Sequence, residues 1–186
     1  MIKKLFAMVL VALFALPMAA QAKELAGVKV PDTIGVGNAT LRLNGAGMRK
    51  KFFVSVYVGG LYLEMPSTDA AAILAADTPK AVSMHFVRDV SRAQLIDSFK
   101  DGFEANAKEK AAAQNANIEK LFGMLTDVKD SEELMFAYVP GKGTTLSKGD
   151  KPLGTFEGKE FADVIFSLWL GPKPPSENLK KELLGM

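Results

Sequence analysis

Leu43–Glu64 reads LNGAGMRKKFFVSVYVGGLYLE. Phe52, Val54, Val56 and Val58 are apolar at every second position, the pattern of a strand with one buried face. Arg49, Lys51, Phe53, Ser55 and Tyr57 alternate with them and mix charge, hydroxyl and ring, so that side is expected to face something other than the main core. Gly45 and Gly47 precede the strand on this reading, and Gly59 and Gly60 fall in its second half. A glycine weakens a strand unless a bulge, a bend or a close neighbour needs the missing side chain. The stretch therefore predicts a long, bent hairpin.

The flanking segments extend the same architecture. On the N-terminal side, Glu24–Val30 alternates loosely up to Pro31-Asp32, Thr33–Val36 is a short extended piece closed by Gly37-Asn38, and Ala39–Leu43 alternates into the hairpin. Short strands in succession with turn residues between them predict an antiparallel sheet. On the C-terminal side, Ser67 or Thr68 is placed to cap a short alanine-rich helix over Asp69–Ala76, and Lys80–Arg88 returns to alternation with Val82, Met84 and Phe86 on one face. Ser91 opens a long helical region whose Leu95, Phe99 and Phe103 form a narrow apolar stripe. Its middle, Asn106–Asn117, reads as exposed, and Ile118, Leu121, Phe122 and Leu125 make a second stripe. Strands are expected at Glu133–Val139, Thr144–Ser147 and Leu153–Phe156. Lys159–Leu170, KEFADVIFSLWL, is apolar on nearly every side and predicts a helix buried over most of its surface; Ser176 caps a last one, Glu177–Leu184.

The first residues, MIKKLFAMVLVALFALPMAAQA, carry two lysines, an apolar run and the small-residue pattern Ala20-Gln21-Ala22. That order is expected of a secretory signal peptide cut after Ala22. The apolar run is shorter than the roughly 20 residues of a spanning helix, and Pro17 interrupts it, so no stable membrane insertion is expected after cleavage. Residues 23–186 then form one domain, exported and expected in a bacterial periplasm. Losing Lys3 and Lys4 leaves 21 basic residues against 21 acidic ones, so the exported chain is formally neutral. The basic character of the whole chain gives no reason to expect a nucleic-acid partner. With no cysteine, disulfides, thiolate nucleophiles and thiolate metal sites are all excluded.

Few residues are equipped for chemistry. His85 is the only histidine and is expected to be structural. The glycines at 35, 37, 45 and 47 lack the spacing of a dinucleotide loop, and Pro140-Gly141-Lys142-Gly143 lacks that of a phosphate loop. Asp127, Asp130, Glu132 and Glu133 lack calcium-loop spacing and read as a solvated turn. No metal site and no cofactor are expected. Arg49 and Tyr57 remain: a guanidinium offers a permanent charge and a bidentate fork to a carboxylate, and a phenol adds one donor. The plainer reading makes Arg49 a turn residue in the run Arg49-Lys50-Lys51 and Tyr57 a packing residue. On one straight strand the two would lie about 26 Å apart, at roughly 3.3 Å per residue. They can share a ligand only if the chain turns back between them.

GAGMR followed by FFVSVYVGGLYLE resembles the N-terminal hairpin of the chalcone isomerase family, whose members carry a G-A-G-x-R run and then a strand ending G-[VL]-Y-L-E. VPDTIGVGNATLRLNG, VPGKGT and FSLWLGPKPP…LKKELLG are similar to its bacterial exported branch. The resemblance implies an α+β fold, an antiparallel β-sheet covered on one face by a layer of α-helices. Plant enzymes of the family close a phenol onto an unsaturated ketone, with an arginine, a threonine, a tyrosine, an asparagine and a small hydroxyl residue. On this chain the arginine falls at Arg49 and the threonine at Tyr57; the tyrosine and asparagine fall near Ala93 and Lys100, and the hydroxyl residue near Ala162. Only Arg49 keeps the family's residue type. That pattern resembles the non-catalytic plant relatives that hold fatty acids through arginine and tyrosine.

The resulting expectation is a non-catalytic binding protein for a small hydrophobic or amphipathic acid, with Arg49 as counter-charge and Tyr57 as hydroxyl donor. One alternative is an isomerase in which Arg49 steadies a developing oxyanion and Tyr57 takes the threonine's part. A second is a structural or partner-binding domain without a ligand. The sequence leaves oligomeric state open.

Overall fold

The computed structural model describes residues 23–186, so the expected signal peptide lies outside the described residues. The chain first makes a small hairpin, β1 (Lys23–Leu25) and β2 (Val28–Val30), turned by Ala26 and Gly27, both at positive φ. Strands β3 (Thr33–Val36), β4 (Ala39–Lys51) and β5 (Val54–Leu63) follow. After helix α1 (Ala70–Ala75) come β6 (Lys80–Phe86) and three helices, α2 (Arg92–Asn106), α3 (Lys108–Ala113) and α4 (Asn115–Met124). Strands β7 (Glu133–Val139), β8 (Gly143–Lys148) and β9 (Lys151–Phe156) lead to α5 (Lys159–Leu170) and α6 (Glu177–Leu183). Strands β3 to β9 form one antiparallel sheet in chain order, each paired with the next. The expected α+β architecture is therefore the observed one.

The helices cover one face of the sheet. Leu61, Val82, Met84, Phe136 and Leu146 point into that layer, where they meet Leu95, Phe99, Phe103, Leu121 and the buried length of α5. Seven consecutive α5 residues, Val164–Leu170, are buried, as a helix apolar on most sides requires. The opposite face carries a second, smaller core of Leu41, Ala46, Val58, Tyr62 and Ala81, roofed by Val28 and Val30. The loose alternation of Glu24–Val30 thus folds into a cover for this face.

The central hairpin departs from the sequence reading in three ways. Its turn is Phe52-Phe53, with Lys51 paired to Val54, so Phe52 and Val54 lie at an exposed tip instead of on a buried face. Beyond the tip the parity is inverted: Tyr57, Leu61 and Leu63 enter the main helix-covered core, whereas Val58 and Tyr62 enter the second. Finally, Gly45 and Gly47 lie inside β4, not before it. A Cβ on Gly45 would press into the Glu182 carbonyl oxygen and come 2.7 Å from that of Leu183. Glycine here lets α6 rest directly on the strand. Asn44, at the β4 register shift, fixes the contact: its Nδ2 donates to Ser67 O at 2.9 Å and to Leu183 O at 2.8 Å, while its Oδ1 accepts from Ser67 N at 2.8 Å.

Smaller corrections have local causes. Asp69 caps α1, accepting from Ala71 N and Ala72 N, because its carboxylate reaches both free amides. Ser91 caps α2 through a reciprocal box with Gln94. The region 106–117 is broken at Ala107 and Gln114, yet it buries Ala107 and Ala111, small side chains that let α3 sit close to α5.

Candidate binding cavity

Arg49 stands directly opposite Tyr57 in the β4–β5 ladder, which at antiparallel spacing sets their Cα atoms about 5 Å apart. The turn at Phe52-Phe53 supplies the reversal that a straight strand lacks. Next to this pair the register slips: Arg49 pairs with Tyr57 but Lys50 with Ser55, leaving Val56 as the extra residue of a bulge. The bulge turns Val56 as well as Tyr57 toward the helix side, and both line a cavity of about 340 Å³.

The cavity lies between β5–β6 and the helices α2 and α5. Its inner wall is apolar and buried: Met84 and Phe86 from the sheet, Leu95 and Phe99 from α2, and Leu168 and Trp169 from α5. Its rim is polar, with Arg49 and Lys51 from β4, Ser98 and Asp101 from α2, and Lys173 after α5. Three cations against one carboxylate give the opening a net positive charge. Asn106 pins the Lys173 segment to α2, donating from Nδ2 to Lys173 O at 2.8 Å and accepting at Oδ1 from Lys173 N at 2.7 Å.

Tyr57 is the buried polar group at the inner end of this arrangement. Trp169 Nε1 donates to its hydroxyl oxygen at 2.9 Å, and its ring sits 5.6 Å from that of Phe86. The oxygen therefore accepts from the indole, and its own hydrogen meets no protein acceptor among the described residues. Burial pushes the phenol up to about 12, against smaller downward pulls from the Trp169 hydrogen bond and the Arg49 charge. At neutral pH Tyr57 is a donor and not a base. Arg49 donates to the Lys50 carbonyl oxygen, is half-buried, and forms no salt bridge among the described residues.

Arg49 and Tyr57, proposed from sequence, thus meet at one cavity. Ala93, Lys100 and Ala162 do not line it. Trp169 and Lys173 escaped the sequence reading. Trp169 was submerged in the uniformly apolar KEFADVIFSLWL, although a buried indole N–H calls for an acceptor and Tyr57 is one. Lys173 carried no signal, since its place at the rim depends on tertiary contacts such as the Asn106 bridge. His85 lies away from the cavity, paired with Glu133 across β6 and β7. No group of three or more histidine, aspartate or glutamate side chains able to hold a metal occurs among the described residues. None of their helices is long and apolar enough to cross a membrane.

Known proteins resemble the chain at the level of family and fold. A family model described as chalcone isomerase-like matches residues 22–185. Among curated protein sequences none matches. Among solved structures, the crystal structure of a fatty-acid binding protein from Arabidopsis thaliana superposes with a TM-score of 0.68 at 15% identity, covering 85% of this chain and 92% of that one. A likeness so distant in sequence is one of fold. The family match spans nearly the whole length, and the chain belongs to the chalcone isomerase-like family.

Proposed function

We propose that the protein binds, without transforming it, a small hydrophobic carboxylate such as a fatty acid, its tail in the apolar cavity and its head between Arg49 and Tyr57. One observation carries this reading: a fixed cation and a buried phenol with a free hydrogen flank the same apolar hollow. Its volume of about 340 Å³ sits at the lower end of the roughly 300–1,000 Å³ usual for small-molecule pockets. The fold neighbour named as a fatty-acid binding protein supports the same class of ligand. We further place the protein outside the cytoplasm, on the strength of the leader-like first 22 residues; the secreted protein is expected to begin at Lys23 by intact mass.

The chain's one tryptophan forms part of the cavity wall, so its emission reports occupancy directly. Titration with dodecanoate and hexadecanoate is expected to change that emission saturably, and Arg49→Ala to weaken binding. Absence of any saturable change, together with no acid extracted from the purified protein, would defeat the proposal.

An isomerase reading stands second. The same two donors could steady a phenolate, but among the described residues Asp101 is the only carboxylate lining the cavity, and it sits exposed at the rim. Loss of chalcone absorbance above the buffer rate, abolished by Arg49→Ala, would bring this reading to the front.

A further inference from the structure

The tip of the central hairpin is the most exposed apolar feature of the described molecule: Phe52 is 89% and Phe53 99% accessible, and Val54 adds 48%. It also stands clear of the sheet. Strand β4 pairs with β3 only as far as Arg42, and β5 pairs with β6 only from Tyr57 onward. Residues 50–55 are therefore the end of a two-stranded ribbon. Local folding does not call for aromatic rings there. Phe52 is held at φ +55°, a conformation that two-residue hairpin turns normally give to Gly, Asn or Asp. A bulky residue at positive φ is a strained choice.

Beside the two rings run Arg49, Lys50 and Lys51, none in a salt bridge among the described residues. The formal charge of residues 23–186 is zero, so this is a local concentration of cation and not a reflection of the whole molecule. Exposed phenylalanines next to lysine and arginine fit a surface that is apolar within and anionic at its boundary. We propose that the Phe52-Phe53 tip inserts into the headgroup region of an anionic phospholipid bilayer, with Arg49, Lys50 and Lys51 against the lipid phosphates. Arg49 and Lys51 also rim the cavity, so the docked protein presents its opening to the lipid. The docking holds independently of what the cavity contains.

The test is flotation with phosphatidylcholine vesicles, with and without about 30% phosphatidylglycerol as the anionic lipid. The protein is used as its cells process it, so any contribution from the first 22 residues is common to all variants. Binding is expected only with phosphatidylglycerol present and is expected to fall in high salt. Phe52→Asn with Phe53→Gly should cut partitioning about a hundredfold, since each buried phenylalanine is worth about tenfold or more. This pair suits the turn, so its melting temperature is expected to hold. Lys50, which is off the cavity lining, should contribute about fivefold when changed to Gln. Equal binding by the Phe52→Asn, Phe53→Gly variant, binding indifferent to phosphatidylglycerol, or no binding at all would each overturn the proposal. So would a dimer that this double substitution dissociates, which would assign the tip to a second copy of the chain.

Discussion

At Arg49 and Tyr57 the chemistry is additive in kind but unequal in size. A hydrogen bond to a charged group is worth about 1.5–3 kcal/mol and a neutral one about 1 kcal/mol. Arg49→Ala is therefore expected to weaken carboxylate binding by roughly ten- to a hundredfold, and Tyr57→Phe by about fivefold; tryptophan emission titrations read both. Tyr57 also leaves a mark on stability. Its folded-state value of about 12 lies above the value near 10 of an unfolded tyrosine. The stabilisation is thus complete below pH 10 and is lost as pH rises toward 12. Over that window it amounts to about 3 kcal/mol, and Tyr62, also pushed up to about 12 by burial, adds to the same decline. Urea unfolding at rising alkaline pH should show a shallower loss for Tyr57→Phe than for the parent; equal slopes would refute the assignment.

The β4–β5 ribbon and its contact with α6 govern where these side chains end up. Gly45→Ala drives a methyl group into the α6 carbonyls and is expected to cost about 3 kcal/mol, the upper end for overpacking. Asn44→Ala removes three hydrogen bonds that join β4, the Ser67 segment and α6, a loss of about 2–4 kcal/mol. Thermal or urea denaturation checks both, and a change below half a kilocalorie in either would break the account. The sequence made much of this element legible. Gly59, read as lying within the strand, does mark a close neighbour, Leu179 of α6, and the family-like motif pointed to Arg49, whereas Gly45 and Gly47 were placed outside the strand they belong to. It misled at the turn, because Phe52-Phe53 has none of the residue types that mark one, and the misplaced reversal carried the parity error with it. The helix of 159–170 and the strand of 133–139 were readable to the residue, since uninterrupted patterns with clear breakers bound them. The β1–β2 cover was not, because strands of three residues each are too short for periodicity to show their type.

Across the whole molecule, the cavity wall is gathered from segments far apart in the chain: β4, β5, β6, α2, α5 and the loop beyond it. That dispersal explains why the polar rim could not be read from local spacing. Arg49 and Lys173 reach one rim only after the sheet and α5 have packed. It also predicts a cooperative dependence of the site on the C-terminal segment. A chain ending at Gly171 loses α6, uncovers the Gly45 side of β4, and is expected to lose both the cooperative melt and the tryptophan response to hexadecanoate. Retention of both would show that α6 is dispensable.

The burial of α5 bears on the order of synthesis. The helix-facing side of seven strands has no complete partner until residues 159–170 have left the ribosome, and β4 lacks its closing contact until α6 follows. When β9 has emerged, the sheet is therefore still open on that face, and it closes only once residues 159–183 have followed.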